Sequence, residues 1–350
     1  MKKISINPKN INKILVIRNH NQIGDMIVSV PMYYALKKKF PNSKIVLVAA
    51  KTNYPIPFFE INPFLDDVIV FDRSTIKSQI QIISYLRKEA FDVVIIPSTI
   101  SISNTSHIIG WLTTAPIRVG VNSIDRVKNK LSFLLNMKKD FFWQKKHQLF
   151  RNLEIAELLG ATLTVDEVLK IKFNFSESEL DEARSFLKSR FSNLDKLLVA
   201  IHPGAGKESN IWDKSNFINL INTLNVKYYP NFLITCGATD SKIIKEMIVP
   251  LSQNKVNFEV LENFPVKKLA AIIELCDLFI TNDTGIMHIG GWTNTAMISL
   301  FGVTRSYEWA PLGKNKFFIQ SPTGSMEGIS LEAVLNLVNS LISLTKSKKK

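Results

Sequence analysis

Cysteines and long apolar runs are scarce in this sequence. Only Cys236 and Cys276 occur in 350 residues, each within or beside an apolar stretch, and we interpret both as reduced thiols in a protein core. No window approaches the roughly 20 apolar residues that a membrane-spanning helix needs. The basic N-terminus is followed only by the short apolar run Ile14–Ile17, too brief for the core of a signal peptide. We therefore expect a cytoplasmic protein.

Two glycine motifs that mark common nucleotide-binding loops are also absent. Neither the dinucleotide fingerprint G-x-G-x-x-G nor the Walker A pattern occurs. The first absence argues against a nicotinamide-dependent oxidoreductase, a rival enzyme class with paired α/β domains. Neither cysteine has a Cys or His neighbour at a zinc-like spacing, so the cysteines do not indicate a zinc site.

Basic residues are abundant, and the net charge of +14 at pH 7 suits an anionic partner such as a nucleic acid, an anionic lipid or a phosphorylated substrate. They concentrate in the C-terminal tail and in one stretch that is interleaved with aromatic residues. That stretch suits a membrane interface or an amphiphilic substrate, and a structural loop with buried rings is the alternative. The stretch comprises Arg126, Lys128, Lys130, Lys138, Lys139, Lys145 and Lys146 with Phe133, Phe141, Phe142 and Trp143. The tail, for which a solvated disordered end is the alternative, contains Lys346, Lys348, Lys349 and Lys350.

Short runs dense in Ile and Val alternate with helical patterns in the first half of the chain. The runs show little polar alternation, which is typical of strands buried on both faces of a parallel sheet. The predicted strands are Lys13–Arg18, Lys44–Ala49, Asp67–Phe71, Asp92–Ile96 and Ile117–Gly120. The predicted helices include Asp25–Phe40 and Ser78–Lys88. Pro31 lies inside the first of these, and we expect it to kink the helix or shorten its first turn.

The second half repeats this plan. Its predicted strands are Lys196–His202, Asn231–Cys236, Phe258–Leu261, Leu278–Asn282 and Ala296–Phe301. Its predicted helices are Ser215–Asn225, Ser241–Ile248, Val266–Leu275, Gly285–Trp292 and Ser330–Leu344.

Two successive series of strands and helices predict an α/β protein with two doubly wound parallel-sheet domains that face a central cleft. In such folds ligands bind outside the carboxyl ends of the strands. We predict a first domain at 1–192, a second at 193–328, a C-terminal helix at 329–345 and a basic tail at 346–350.

The first candidate site follows the first strand, where Gly24 and Asp25 close a loop into a helix. Asp25 has two interpretations. It is a helix cap, because Asp is favoured there, or it is a general base that takes the proton from an attacking hydroxyl.

The second candidate site directly follows the strand that opens the second domain. Gly204 and Gly206, separated by Ala205, let the backbone approach an anion so that its N–H groups can donate to phosphate oxygens. Lys207 adds a positive charge. For Trp212, packing is preferred over stacking on a base.

The third candidate site is the most informative. A buried strand ends at Asn282, and Asp283-Thr284-Gly285 then turn into a helix. The free N–H groups at such a helix start suit a pyrophosphate. His288 returns to the same face one turn later. The alternative is a capping Asp/Thr pair with a core histidine.

These pieces, in this order, resemble the heptosyltransferases of bacterial lipopolysaccharide core synthesis (glycosyltransferase family 9). The matching runs are Ile14–Pro31, His202–Gly206 with Trp212, and Asn282–His288, continuing through Leu300–Thr304 to Trp309–Pro311. They span about residues 13–312. Each run is weak alone, and the ordered set is specific.

The resemblance implies the two-domain GT-B fold, an inverting glycosyltransferase and metal-independent transfer without a cofactor. It implies an ADP-heptose donor and a phosphorylated glycolipid acceptor, the lipid A–core precursor. It assigns Asp25 as the catalytic base. Arg18 and Gly24 are expected to be acceptor-side or loop residues. The implied donor contacts are Gly204, Ala205, Gly206, Lys207, Asp240, Asp283, Thr284, Gly285 and His288. The implied protein is a monomer that works at the cytoplasmic surface of the inner membrane and binds no nucleic acid.

One position departs from the family pattern. Members often carry a basic residue two positions before the tryptophan, where it meets the donor phosphates, and here that position is Asn210. Either Lys207 takes over the charge or the donor differs. A family member that uses another nucleotide sugar for another surface glycan therefore stays open. The net charge of +14 also leaves open a non-catalytic protein that binds anionic lipid or nucleic acid.

Overall fold

The computed structural model describes residues 7–18, 22–52, 56–72, 74–237 and 240–348, with side chains described up to residue 343. It divides the chain into two compact units, Met1–Lys170 and Ile171–Lys350. Each unit is an α/β structure built on its own sheet. The two predicted α/β domains are thereby confirmed.

The first unit contains a seven-stranded sheet in the order β3-β2-β1-β4-β5-β6, with β7 paired to β5. Its strands pair in parallel except for the antiparallel hairpin of β5 and β6. The strands are β1 (Lys13–Arg18), β2 (Lys44–Ala50), β3 (Asp67–Phe71), β4 (Val93–Ile96), β5 (Ile117–Ile124), β6 (Val127–Lys128) and β7 (Met137–Phe141). The helices are α1 (Ile23–Lys39), α2 (Phe58–Ile61), α3 (Ile76–Lys88), α4 (Asn104–Leu112), α5 (Gln148–Glu157) and α6 (Val165–Leu169).

The second unit contains a six-stranded sheet in the order β10-β9-β8-β11-β12-β13, parallel throughout. Its strands are β8 (Leu198–His202), β9 (Asn231–Cys236), β10 (Phe258–Glu262), β11 (Leu278–Asn282), β12 (Ala296–Phe301) and β13 (Lys316–Gln320). Its helices are α7 (Glu177–Arg190), α8 (Lys214–Tyr228), α9 (Ser241–Gln253), α10 (Val266–Glu274), α11 (Gly285–Gly291), α12 (Ser306–Trp309) and α13 (Leu331–Lys348). Apolar clusters fill the space between this sheet and its helices.

The division between the units falls earlier than the predicted boundary at 192/193. Helix α7, which the sequence placed in the first domain, belongs to the second unit because it packs on α10. Leu187 and Phe191 contribute to the apolar cluster there. An ion pair between Lys267 and Glu179 adds to the contact, with 2.5 Å between the charged atoms.

Helix α1 begins at Ile23 rather than at Asp25, and Gln22 occupies the cap position without a side-chain capping bond. The interpretation of Asp25 as a helix cap is therefore wrong. Pro31 lies inside the helix, which continues to Lys39. Of the two effects expected of Pro31, a shortened first turn is not observed, and the kink stays a prediction.

Both cysteines are free and buried, as predicted. Burial raises the pKa of the Cys236 thiol to about 11, and it also raises the pKa of Cys276. In the described part of the chain, no helix combines the length and hydropathy of a membrane span.

Candidate functional site

Two loops of the second unit meet at the carboxyl edge of its sheet because β8 and β11 are neighbours, with His202 opposite Thr281. The side chain of Asn282, at the end of β11, joins these loops. Its amide donates to the carbonyl of Pro203 over 2.8 Å and to that of Gly204 over 3.3 Å. Its oxygen accepts from the backbone N–H of Trp212 over 3.2 Å. The glycine turn after β8 and the loop after β11 are thus held together by one buried residue.

The glycine turn rests on a buried carboxylate. A Cβ atom built on Gly204 would lie 2.1 Å from Cγ of Asp240, so this position accepts only glycine. Asp240 is 6 % exposed, and its Oδ2 accepts from the N–H of Gly237 over 2.7 Å. The two residues that follow Gly237 lie outside the described part of the chain. Asp240 therefore supports the turn from beneath.

His202 completes the support beneath this turn. Its Nε2 lies 3.7 Å from Oδ2 of Asp240, and its Nδ1 lies 2.8 Å from the hydroxyl of Thr235. Burial lowers the pKa of His202, and the negative charge of Asp240 opposes that shift. A neutral His202 at pH 7 follows. Asp240 thus packs against the glycine turn, and its predicted contact with the donor stays a prediction.

Asn210, the position that departs from the family pattern, is turned toward Asp283. Its amide donates to Oδ2 of Asp283 over 3.0 Å and is 3.5 Å from the hydroxyl of Thr304. Burial raises the pKa of Asp283, while a hydrogen bond from Thr304 and the positive charge of Lys207 oppose the rise. Asn210 is buried and Lys207 is exposed. Lys207 is therefore the cation that this part of the loop presents to solvent.

Helix α11 follows directly on Asp283. Thr284 occupies its cap position but makes no side-chain capping bond, so the structure does not support the alternative of a capping threonine. Thr284 and Gly285 are partly exposed. His288 is buried, 6.1 Å between ring centroids from Trp309 in an edge-on arrangement. Close packing on β11 holds the helix, since a Cβ atom on Gly290 would lie 2.4 Å from the ring of Phe279.

The far end of α11 is held by a buried lysine that the sequence did not single out. Nζ of Lys316, the first residue of β13, donates to three carbonyl oxygens. The acceptors are Gly290 (3.0 Å), Thr293 (2.9 Å) and Thr295 (2.7 Å). Burial and, to a smaller extent, the charge of Lys172 lower the pKa of Lys316 to about 7, and the charge of Glu274 opposes the shift. Lys316 lies in a stretch where no strand was predicted, and a single lysine there carried no sequence signal for this role.

We expect Lys316→Met to lower the free energy of unfolding by roughly 2 kcal/mol, because buried carbonyls lose their donor. The wild-type stability also depends on pH through this group. Unfolded lysine keeps a pKa near 10.5, so between pH 7 and 10.5 the unfolded state binds more protons. Stability then rises with pH in this window, by at most about 1.4 kcal/mol per unit, and falls as the pH returns to 7.

Urea unfolding at pH 7, 8 and 9 tests both expectations. The variant should lack this contribution to the slope, and the exposed neighbour Lys314→Met serves as the control. Equal slopes for the two variants would contradict the role of Lys316.

The residues predicted in the first unit lie at the carboxyl end of β1 and in the first turn of α1. Arg18 is 3 % exposed, and its Nη1 donates to the side-chain oxygen of Asn152 over 2.8 Å. Its buried Nε has no hydrogen-bond partner among the described residues. Asp25 is 7 % exposed, and Gly24 beside it is buried. Residues 19–21 of this loop lie outside the described part of the chain.

Trp212 packs rather than stacks on a ligand, as predicted. It is fully buried, its Nε1 donates to the carbonyl of Ile329 over 2.9 Å, and its ring meets Phe217 edge-on. This packing anchors the segment that carries Asn210.

A two-unit α/β fold with parallel sheets and a glycine turn at the carboxyl edge of the second sheet is typical of the GT-B fold. The sequence model of glycosyltransferase family 9 (heptosyltransferase) matches residues 80–336. The chain belongs to this family. The matched region includes both loops of the second unit and begins after Asp25.

Named relatives of the chain are also heptosyltransferases. The chain is 24 % identical over 306 residues to lipopolysaccharide heptosyltransferase 3 of Escherichia coli K12, covering 83 % of each chain. It is 24 % identical over 292 residues to lipooligosaccharide heptosyltransferase 2 of Campylobacter jejuni, covering 83 % of this chain and 81 % of the relative. These similarities agree with the resemblance that the motifs carried.

Solved structures confirm the fold. A family 9 glycosyltransferase from Veillonella parvula superposes with a TM-score of 0.75 at 19 % identity, covering 94 % of this chain and 97 % of its own. The Escherichia coli ADP-heptose lipopolysaccharide heptosyltransferase II gives 0.74 at 19 % identity, covering 95 % and 99 %.

Proposed function

We propose that this enzyme transfers a heptose from ADP-heptose to the inner core of lipopolysaccharide or lipooligosaccharide. The observation that carries the proposal is the joining of the glycine turn to the Asp283–Gly285 loop by Asn282. This contact places backbone N–H groups, Lys207 and Thr284 on one edge of the second sheet, where a nucleotide diphosphate is expected. Support comes from relatives named as heptosyltransferases and from an Escherichia coli heptosyltransferase solved with ADP-2-deoxy-2-fluoro heptose (TM-score 0.66, 16 % identity, covering 94 % of this chain and 99 % of its own).

The proposed reaction is a direct displacement with inversion that uses no metal or other cofactor. The acceptor hydroxyl attacks the anomeric carbon from the face opposite the diphosphate, and Asp25 takes its proton as the bond forms. Negative charge then develops on the leaving ADP. Lys207 and the N–H groups of the Gly204–Gly206 turn stabilise it, and preorganised donors of this kind are commonly the largest catalytic contribution.

Asp240 and His288 have structural roles in this proposal besides the proposed contacts with the donor. The carboxylate of Asp240 packs directly against Gly204 and so fixes the position of the glycine turn. The ring of His288 packs against Trp309 and so holds α11 in place. The acceptor is a phosphorylated glycolipid, and the enzyme works as a monomer at the cytoplasmic face of the inner membrane.

A second candidate is transfer of another sugar to another surface glycan by the same fold. Asn210 favours it, because a neutral amide bonded to Asp283 adds no positive charge for the donor phosphates. A panel of nucleotide sugars separates the two: transfer from ADP-heptose to a heptose-deficient core glycolipid, detected by mass spectrometry, is the expected result. Transfer only from a UDP- or GDP-linked sugar would establish the second candidate, and absence of transfer from every donor would contradict both.

We expect Thr284→Ala and Lys207→Gln each to weaken ADP binding roughly tenfold, because each removes a donor to a charged phosphate oxygen. Calorimetric titration of ADP measures the affinity directly. Thr223→Ala and Lys242→Gln, exposed positions on α8 and α9, are the matched controls. Affinities that do not change with Thr284→Ala and Lys207→Gln would place the diphosphate elsewhere.

A further inference from the structure

The basic and aromatic stretch of the first unit combines features of both interpretations of its sequence, because some of its aromatic rings are buried and others are exposed. Phe141 and Trp143 are buried and stacked, with ring centroids 4.7 Å apart, as the alternative of a structural loop predicted. Phe142 between them points outward and is 66 % exposed, and Phe133 is 72 % exposed. The stretch is therefore a folded scaffold with a buried aromatic pair and two exposed phenylalanine rings.

We name the exposed side chains of this scaffold the hairpin surface. Its apolar members include Val127, at 66 % exposure, besides the two phenylalanines. Its basic members are also exposed. The hairpin surface comprises Arg126, Val127, Lys128, Phe133, Phe142 and Lys145.

The tip of the β5–β6 hairpin is fastened to the segment that carries Phe142. The backbone N–H of Asp125 donates to the carbonyl of Phe141 over 2.9 Å. Its carboxylate accepts from the N–H groups of Trp143 (2.7 Å) and Gln144 (3.2 Å). Arg126 and Val127 therefore lie beside Phe142 in a fixed arrangement.

The backbone at the tip is strained. Asp125 and Arg126 have φ values of 47° and 72°, between the paired residues Ile124 and Val127. Positive φ at both positions suits a two-residue hairpin, and glycine or asparagine is the usual occupant. An arginine held there costs about 1 kcal/mol, and such strain is found at functional positions.

The base of the scaffold is fixed by a buried histidine. Asn129 donates its amide to the carbonyl of Val121 over 2.8 Å and lies 2.8 Å from Nε2 of His107. Burial lowers the pKa of His107, and the neutral ring accepts from Asn129 while Nδ1 donates to the carbonyl of Ser103 over 2.7 Å. The scaffold thus keeps its shape without a ligand.

Most charges of the hairpin surface are not neutralised within the unit, although Lys128 lies near enough to Asp140 to help lower the pKa of that carboxyl. Lys146 pairs with Glu154, and Lys138 donates to the carbonyl of Ser132 over 2.6 Å, so these two lysines serve the fold. Arg126, Lys128 and Lys145 form no ion pair within the described ranges of the chain. Unpaired cations beside exposed rings are the composition of a surface that meets a bilayer: the rings enter the headgroup boundary and the cations meet anionic lipids.

We infer that the hairpin surface docks the enzyme on the anionic lipid headgroups of a bilayer. The positive charge of the hairpin surface complements anionic headgroups. Its exposed aromatic rings favour a bilayer over a partner that is bound by charge alone. The inference concerns how the enzyme reaches a membrane and holds for any sugar that it transfers.

Sedimentation of the purified full-length enzyme with vesicles tests the inference without donor or acceptor. Vesicles of phosphatidylcholine with phosphatidylglycerol should bind the wild type, and pure phosphatidylcholine vesicles should bind it far less. Arg126→Gln/Lys128→Gln should weaken binding to the anionic vesicles roughly tenfold or more. Val127→Ser/Phe142→Ser should also weaken it. In Phe142→Trp, lipids brominated near the headgroup should quench the new indole.

Matched variants on the second unit are Lys242→Gln/Lys245→Gln and Val226→Ser/Val249→Ser, all at exposed positions. They should bind as the wild type does, and so should a chain that lacks residues 346–350. Equal losses in these controls, failure of the wild type to bind anionic vesicles, or displacement of the vesicles by an arbitrary oligonucleotide would each overturn the inference. Thermal unfolding of every variant confirms that it is folded.

Discussion

Asp25→Asn is expected to lower kcat by roughly 10²–10⁴ while leaving the affinity for ADP unchanged, because it removes a proton acceptor and no donor contact. This role of Asp25 is part of the proposed function. The N-cap residue of α1 is Gln22, and the near-isosteric amide of asparagine preserves the packing at position 25. Single-turnover rates with saturating donor and acceptor measure the effect on the chemical step.

Asp166→Asn is the matched control, because Asp166 also lies in the first turn of a helix of the first unit but is exposed. It should leave kcat within error of the wild type. A near-normal kcat for Asp25→Asn would remove Asp25 from the role of base, while a parallel loss of ADP affinity would indicate a structural effect.

Gly204→Ala is expected to lower the free energy of unfolding by about 2–3 kcal/mol, because overpacking forces neighbouring atoms apart. The new methyl group would lie 2.1–2.5 Å from the three carboxyl atoms of Asp240. That carboxylate is buried and bonded to Gly237, so it has little room to move. Displacement of the turn should also reduce ADP affinity by more than tenfold.

Gly206→Ala, in the same turn, provides the contrast, because a Cβ atom there meets nothing within 4 Å. Urea unfolding and ADP titration of the two variants side by side measure the difference. If both alanines cost the same stability, the contact between Gly204 and Asp240 is not what fixes the turn.

Most strands were predictable because their signal is local. β1, β3, β9, β11 and β12 have the predicted bounds, since each is an apolar run that ends at a polar residue or a turn. The missed strands break this pattern. β7 reads Met-Lys-Lys-Asp-Phe and is largely exposed, and β13 begins with the buried Lys316.

The site was predictable only in part, for the same reason. Gly204, Asp283 and Thr284 were found because each stands directly after a strand. Asn282 joins two loops that are 79 residues apart in sequence, and no local pattern reports such a contact. The division between the units differs from the predicted 192/193 because α7 was assigned to the first domain by its place in the sequence, whereas its packing on α10 decides the unit to which it belongs.

The hydrogen bonds by which Asn282 joins two loops have a consequence for how such enzymes diversify. The hydrogen bonds described for Asn282, Asp240 and Lys316 join residues of the second unit. Under the proposed function, the donor-side residues belong to this unit and Asp25 belongs to the other. A crossover in the gene near residue 170 would then exchange the proposed donor and acceptor specificities independently of each other.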